Sequence, residues 1–242
     1  MILEIIRSLF IVLIGSIYTI LSSVVAIILA IRNPYSDRVN NFIRFWGRSI
    51  LFISGIELEI EGEEKLNNTP SVYMANHESL FDIIASVISI PGTARFIAKK
   101  ELFRIPVFAQ GLKMIGTIKI DRGNSAKARA SINEAITVIR EGVSVIIFPE
   151  GTRSRDGMIK PFKKGGVVLA MNGKIPIVPM AISGSNYIMG KNSLRLRKGH
   201  IRVVFLDPID TTNKIYDERN LLLAEIRESI IKHHDKDFNK EK

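Results

Sequence analysis

From residue 9 to residue 31 the chain holds 23 residues in a row without a single Asp, Glu, Lys or Arg. About 20 apolar residues are enough to cross the hydrocarbon core of a bilayer as a helix, so this run demands a lipid-compatible helix at the front of whatever follows. A cleavable signal fits poorly. Glu4 stands beside Arg7 ahead of the run, the run exceeds the usual ~7–15 residues, and no small-x-small cleavage site follows. The run reads as a retained membrane element.

Pro34, in Arg32-Asn33-Pro34-Tyr35, stops this helix. Beyond it Val39, Phe42, Ile43, Trp46, Ile50 and Ile53 recur at helical spacing, with Asp37, Asn41, Arg44 and Arg48 on another face. A basic amphipathic helix carrying a Trp suits the headgroup plane. Residues 1–54 are therefore expected to form a membrane-associated helical hairpin that docks a body of residues 55–242. Arg32, Arg38, Arg44 and Arg48 follow the apolar run. The positive-inside rule then puts the body on the cytoplasmic face, and the net charge of +10 favours an anionic membrane surface.

The body has a different rhythm. Residues 56–61, Ile-Glu-Leu-Glu-Ile-Glu, alternate strictly and read as a half-buried strand. Further strands are expected at 71–75, 94–98, 117–120, 143–148, 175–183 and 200–206. Helices are expected at 81–90, 106–114, 124–140, 165–172 and 217–234, with a charged tail after the last. Gly142 closes the helix before it. Strands alternating with helices predict an α/β fold with a largely parallel central sheet flanked by helices.

With no cysteine in the chain, disulfides, thiolate metal sites and a thiol nucleophile are excluded. Neither a zinc-type HExxH nor a GxSxG elbow is present. Of the four histidines, His233 and His234 read as surface residues ending the last helix, where cations suit the dipole, and His200 as structural. His77 differs. It follows a buried strand in Asn76-His77-Glu78-Ser79, with Asp82 five residues on. Five residues within one helix would separate the side chains by about 140°. The two can meet only if His77 precedes the helix and Asp82 lies in its first turn. An Asp on one ring nitrogen would fix the tautomer and leave the other nitrogen to take a proton from a hydroxyl. A purely structural His–Asp contact satisfies the same spacing.

A second constellation is Phe148-Pro149-Glu150-Gly151-Thr152-Arg153-Ser154, also after a buried strand. Strand carboxyl ends are the usual binding position in open α/β sheets, and Arg grips phosphate through paired charge-assisted bonds. A tight turn with a solvated Arg is the plainer alternative. Lys99, Lys100, Arg122, Lys163 and Lys164 follow other strands. Converging, they would make an anion pocket beside His77.

Four blocks in order, NHESLFD, GTIKIDR, FPEGTRS and IVPMAI, span roughly residues 70–185. With AKKEL at 98–102 and FKKGG at 162–166, the chain resembles the glycerophospholipid acyltransferase family, nearest the 1-acyl-sn-glycerol-3-phosphate acyltransferases. The resemblance implies His77 as catalytic base and Asp82 as its charge partner. It implies substrate binding by Lys99, Arg122, Glu150, Gly151, Thr152 and Arg153, with Arg153 and Lys99 on phosphate. Lys119 departs from the pattern, where an apolar residue is commoner before Ile120.

The residues and the resemblance converge on transfer of an acyl group from a thioester to the 2-hydroxyl of lysophosphatidic acid. The expected partners are lysophosphatidic acid, acyl carrier protein or acyl-CoA as donor, and an anionic membrane surface. Neither metal nor cofactor is expected. Acylation of glycerol-3-phosphate or another lysolipid is the alternative within the class. A membrane-bound hydrolase using the same His–Asp pair is an alternative outside it. A non-enzymatic anion-binding protein is a third. Nucleic acid is not an expected partner, because the basic residues are scattered with no recognisable motif.

Overall fold

In a strand successive side chains leave opposite faces of the sheet, and here both faces are apolar in the centre. Val72 and Met74 point to one side of strand β2 (Val72–Ala75), Tyr73 and Ala75 to the other, and all four are buried. Such a strand must be covered by helices on both faces. The computed structural model describes residues 2–104, 108–120 and 125–239 and shows that three-layer arrangement.

The other strands are β1 (Ile56–Glu61), β3 (Ala94–Lys99), β4 (Ile118–Ile120), β5 (Ser144–Ile147), β6 (Ile177–Ser183) and β7 (Gly199–Phe205). They form one sheet in the order β1-β7-β6-β2-β5-β3-β4. Pairing is parallel except between β6 and β7. Hence β6, β2, β5, β3 and β4 all run one way, and β1 and β7 the other. Five strand carboxyl ends open on the same edge, with β2 near their centre.

One face is covered by α5 (Ser125–Arg140), α6 (Gly165–Gly173) and α8 (Arg219–His233). The other is covered by α2 (Asp37–Ser54), α3 (Phe81–Ser89) and α7 (Ser185–Met189). Helix α4 (Phe108–Met114) follows β3. Gly55 ends α2 with φ 69°, and its N–H donates to Phe52 O at 3.0 Å, a left-handed stop that glycine adopts without steric cost.

Helix α1 (Ile2–Ala30) is fastened along its length. Near its start Arg7 donates to Leu196 O (3.1 Å), and Ser8 Oγ accepts from Leu196 N (3.0 Å). In the middle Trp46 Nε1 donates to Thr19 Oγ1 at 3.2 Å. Ser8, Ser22, Ala26 and Ala30 face the protein and are buried, while Phe10, Leu13, Leu21 and Ile28 point outward and are exposed. Small residues inside and large apolar ones outside is the reverse of a soluble surface helix. The hydroxyls of Ser16 and Thr19 donate back to the carbonyls of Val12 and Gly15, both at 2.7 Å, which satisfies them without water.

Some inward-facing charges were not foreseen. Arg44, assigned to the polar face of α2, donates to the carbonyls of Ile90 (2.7 Å) and Gly92 (2.6 Å). Buried Arg95 donates to the carbonyls of Pro34 and Ile115 and sits over the Tyr35 ring. Burial pulls its guanidinium down to about 10. These two arginines bind the hairpin to the start of β3. On α2 the most exposed apolar residues are Phe45 and Phe52, the latter 86% exposed, with Ile53 of the stripe also exposed, whereas Val39 and Ile50 of that stripe are buried against the body.

The end of the chain also differs from a charged tail. Phe238 is buried, and Asn239 pairs with His200 as a strand neighbour would, accepting from its N–H (2.8 Å) and donating to its O (2.9 Å). His200 itself lies against Glu59 (3.3 Å) and Glu57 (3.6 Å) of the neighbouring strand.

Candidate active site

Strand β2 delivers Asn76 and His77 to the carboxyl edge of the sheet. Asn76 is buried and behaves like one more strand residue: its Oδ1 accepts from Ile182 N and its Nδ2 donates to Ile182 O, both at 2.8 Å. The loop that follows is thereby sewn to β6. Asp82 then falls in the first turn of α3, the only arrangement in which a spacing of five lets it reach His77.

It does reach. His77 Nδ1 lies 2.8 Å from Asp82 Oδ2, and the same oxygen accepts the backbone N–H groups of Glu78 (2.6 Å) and Ser79 (2.8 Å). Asp82 is fully buried. Two amide donors fix which carboxylate oxygen faces the ring, so Nδ1 carries the proton and Nε2 keeps its lone pair. The His77 ring stacks on Phe148, centroids 4.1 Å apart and planes inclined by 12°. Both the plane and the tautomer of the imidazole are thus held.

The loop after β5 closes on the same residue. Ser154 N donates to His77 O at 2.7 Å, and His77 N donates to Glu150 Oε1 at 2.7 Å. Glu150 Oε2 accepts Lys160 N at 3.1 Å. Glu150, expected among the substrate-binding residues, is therefore turned inward, buried, with both oxygens occupied by main-chain amides. Burial raises its carboxyl above the ordinary 4.5, and the amides of His77 and Lys160 pull the other way. Gly151 makes the turn at φ 74°, its N–H donating to Phe148 O (3.0 Å).

Thr152 and Arg153 face the open side. Thr152 Oγ1 accepts from Lys191 Nζ (3.0 Å), and Arg153 O accepts from both Lys160 Nζ (3.1 Å) and Lys191 Nζ (3.2 Å). Lys191 sits in the loop after β6 and α7 and was not foreseen. Its ammonium is lowered, first by desolvation and then by the positive charges of Lys160, Arg155, Arg153 and Lys99. Four further cations thus lie within electrostatic reach of Lys191, a concentration of positive charge chemically suited to an anion. Lys99 lies at the end of β3, Arg153 in the loop after β5 and Lys191 beyond β6 and α7. Arg122, expected beside them, lies outside the described residues. Among the described residues no group of three or more metal-ligating side chains could hold a metal ion.

On the hairpin side of the sheet lie two apolar cavities. One, of about 340 Å³, is walled by Ile11 and Gly15 of α1, Ile50 of α2 and Leu80, Phe81 and Ile84. The other, of about 180 Å³, runs between α1, α2 and α4 to Phe96. Phe96 lies 5.9 Å from the Phe148 ring, which itself covers His77.

Comparison with known proteins adds an independent line. Residues 57–183 match the acyltransferase family model. A 1-acyl-sn-glycerol-3-phosphate acyltransferase of Cocos nucifera is 43% identical over 166 residues, 68% of this chain and 54% of that protein. Its Limnanthes douglasii counterpart is 39% identical over 173 residues, 71% of this chain and 61% of that protein. The chain thus spans little more than half the length of these plant relatives. A protein of the same name in Salmonella typhimurium is 30% identical over 229 residues, covering 94% of this chain and 88% of that one. Among solved structures, the 1-acyl-sn-glycerophosphate acyltransferase PlsC of Thermotoga maritima superposes with a TM-score of 0.80 at 24% identity, covering 96% of this chain and 95% of that chain. The fold is shared nearly end to end.

Proposed function

Because the chain belongs to the acyltransferase family, we propose that it moves a fatty acyl group from an acyl thioester to the 2-hydroxyl of 1-acyl-sn-glycerol-3-phosphate, giving phosphatidic acid and a free thiol. The observation that carries this reading is the abutment of two devices: the held His77–Asp82 pair and, one hydrogen bond away through Ser154 N to His77 O, the basic cluster headed by Arg153.

The cluster takes the phosphate of the acceptor. This fixes the free hydroxyl over His77 Nε2, which removes its proton as the oxygen attacks the thioester carbonyl. Asp82 stabilises the imidazolium that forms, and collapse of the tetrahedral intermediate expels the thiolate, which recovers the proton from His77. A thioester is already electrophilic, so positioning and one general base account for the acceleration. A hydrolase activating water would have no use for cations beside the base. The acyl chain lies in the apolar cavities under the hairpin, close to Phe96 and Phe148.

Both acceptor and product are bilayer lipids, and the exterior of residues 1–54 supports a membrane-associated role. Ser8 and Ala30 of α1 both face the protein, about 33 Å apart at 1.5 Å per residue. A helix fastened to the body at both ends lies along one leaflet in preference to crossing the bilayer. Exposed Arg32, Arg38 and Arg48 would meet anionic headgroups on the cytoplasmic side. The donor is acyl carrier protein or acyl-CoA.

The test supplies detergent-purified protein with labelled acyl thioester and, in turn, lysophosphatidic acid, glycerol-3-phosphate and no acceptor. Labelled phosphatidic acid with the first and no free fatty acid without acceptor is expected. Preferred acylation of glycerol-3-phosphate, or acceptor-independent release of fatty acid, would overturn the assignment.

A further inference from the structure

The catalytic loop contains a second histidine–carboxylate contact. Glu78, between His77 and Ser79, is 2% exposed. Its Oε1 lies 2.6 Å from Nε2 of His234, a side chain only 7% exposed. His234 is not the surface residue its position in the sequence implied. It caps α8, and the segment beyond it crosses the ends of β6 and β7: Asp235 N donates to Ser183 Oγ (2.9 Å) and Asn239 Nδ2 to Gly184 O (3.2 Å). Residues 234–239 thus run along the same edge of the sheet as the loop that holds the catalytic base.

Glu78 connects that terminus to the chemistry through its own backbone. Its N–H donates to Asp82 Oδ2 at 2.6 Å, the shortest of the contacts on that oxygen, while its carboxylate faces His234 and accepts weakly from Asn76 Nδ2 at 3.3 Å. The other charges around it are carboxylates, Asp82 and Glu150. Burial and Asp82 both raise the Glu78 carboxyl, and His234 lowers it. Without His234 a carboxylate would be stranded in a pocket with two others. Its escape from that pocket would swing the Glu78 amide off Asp82.

We propose that His234 is a positioning residue for the acyl-transfer centre, holding the Glu78 side chain so that the Glu78 amide keeps Asp82 oriented on His77. This rests on the acyltransferase reading only for its kinetic consequence. The inferred role predicts a loss in turnover without a loss in acceptor affinity, because neither His234 nor Glu78 belongs to the cation surface that takes phosphate.

The experiment compares His234→Ala, His234→Gln and Asn239→Ala with wild type by steady-state kinetics and by hydrogen exchange of the peptide covering residues 76–82. Asn239→Ala loosens the same terminal segment without touching Glu78 and reports on general weakening. His234→Ala should lower kcat about tenfold or more, leave KM for lysophosphatidic acid within about twofold, and accelerate exchange at the Glu78 and Ser79 amides. His234→Gln, whose amide nitrogen can stand near Nε2, should recover most of the turnover. In a Glu78→Gln background, where no carboxylate is stranded, His234→Ala should cost less than about threefold, a non-additivity expected only of residues acting through one another. Wild-type kcat and exchange in His234→Ala would overturn the inference. So would an equal loss from Asn239→Ala, or an undiminished loss in the Glu78→Gln background. If wild type transfers no acyl group, the functional reading fails, and the exchange comparison alone decides the role of His234.

Discussion

Replacing Asp82 by Asn separates two things the carboxylate does for His77. Three donors converge on Oδ2, and two of them are main-chain amides that cannot be reversed. An asparagine must therefore place its carbonyl oxygen there and its NH₂ where Oδ1 stood, a position with no partner among the described residues. The imidazole keeps its tautomer and loses only the negative charge that steadies the imidazolium. A charge-assisted hydrogen bond contributes about 1.5–3 kcal/mol, so kcat should fall roughly 10- to 150-fold. An inverted tautomer would cost on the order of 10⁴-fold. The orphaned NH₂ should also lower stability by about 1–3 kcal/mol. The assay is acyl transfer in mixed micelles, with thermal unfolding of the same preparations. A loss below about threefold would show that the carboxylate charge is irrelevant. A loss near 10⁴ in a folded variant would show that the two amides do not hold the side chain.

Arg153→Ala and Lys191→Ala should each raise KM for the phosphate-bearing acceptor several-fold while leaving kcat nearly unchanged, measured by acceptor titration at low and high salt. Unaltered KM in both would remove the phosphate from this cluster. The raised Glu150 carboxyl means that the folded state holds a proton more tightly than the unfolded chain. Its contribution to stability is complete below about pH 4.5 and is lost as pH rises through the higher folded value. Glu150→Gln should flatten that part of the profile of Tm against pH, and an unchanged slope would contradict it. Phe45→Ser with Phe52→Ser should lower partition onto anionic vesicles at least tenfold in flotation, since each buried Phe contributes about 1.5–3 kcal/mol. Full retention would place the membrane contact elsewhere.

The features legible in the sequence are those carried by local pattern. Alternating and continuous apolar runs marked the strands, and the spacing of His77 and Asp82 specified a loop followed by a first helical turn. What escaped depended on chain segments far apart. Lys191 joins the cation surface from beyond α7, and nothing around it in the sequence distinguishes it from a solvated lysine. His234 lies more than 150 residues from Glu78, and its place at a helix end resembles any dipole-capping histidine. Glu150 lies within a recognisable block. Even so, its residue type could not tell a carboxylate facing substrate from one accepting two main-chain amides. Arg44 and Arg95 mislead for the same reason: carbonyls left bare at a turn or strand end can attract a charge inward, and sequence does not show which turns leave them bare. On α2, Val39 and Ile50 of the apolar stripe face the body, while Ile53 of the same stripe is exposed beside Phe52, and Phe45 is exposed as well; spacing alone does not divide a stripe between core and lipid.

The role of His77 is decided by the product formed from labelled acyl thioester and lysophosphatidic acid by wild type and by His77→Ala, each first shown to be folded and equally bound to vesicles. Labelled phosphatidic acid from wild type, and none above background from the variant, is the expected result. Equal product from both would mean that the base is not His77, and that the pair it forms with Asp82 is structural.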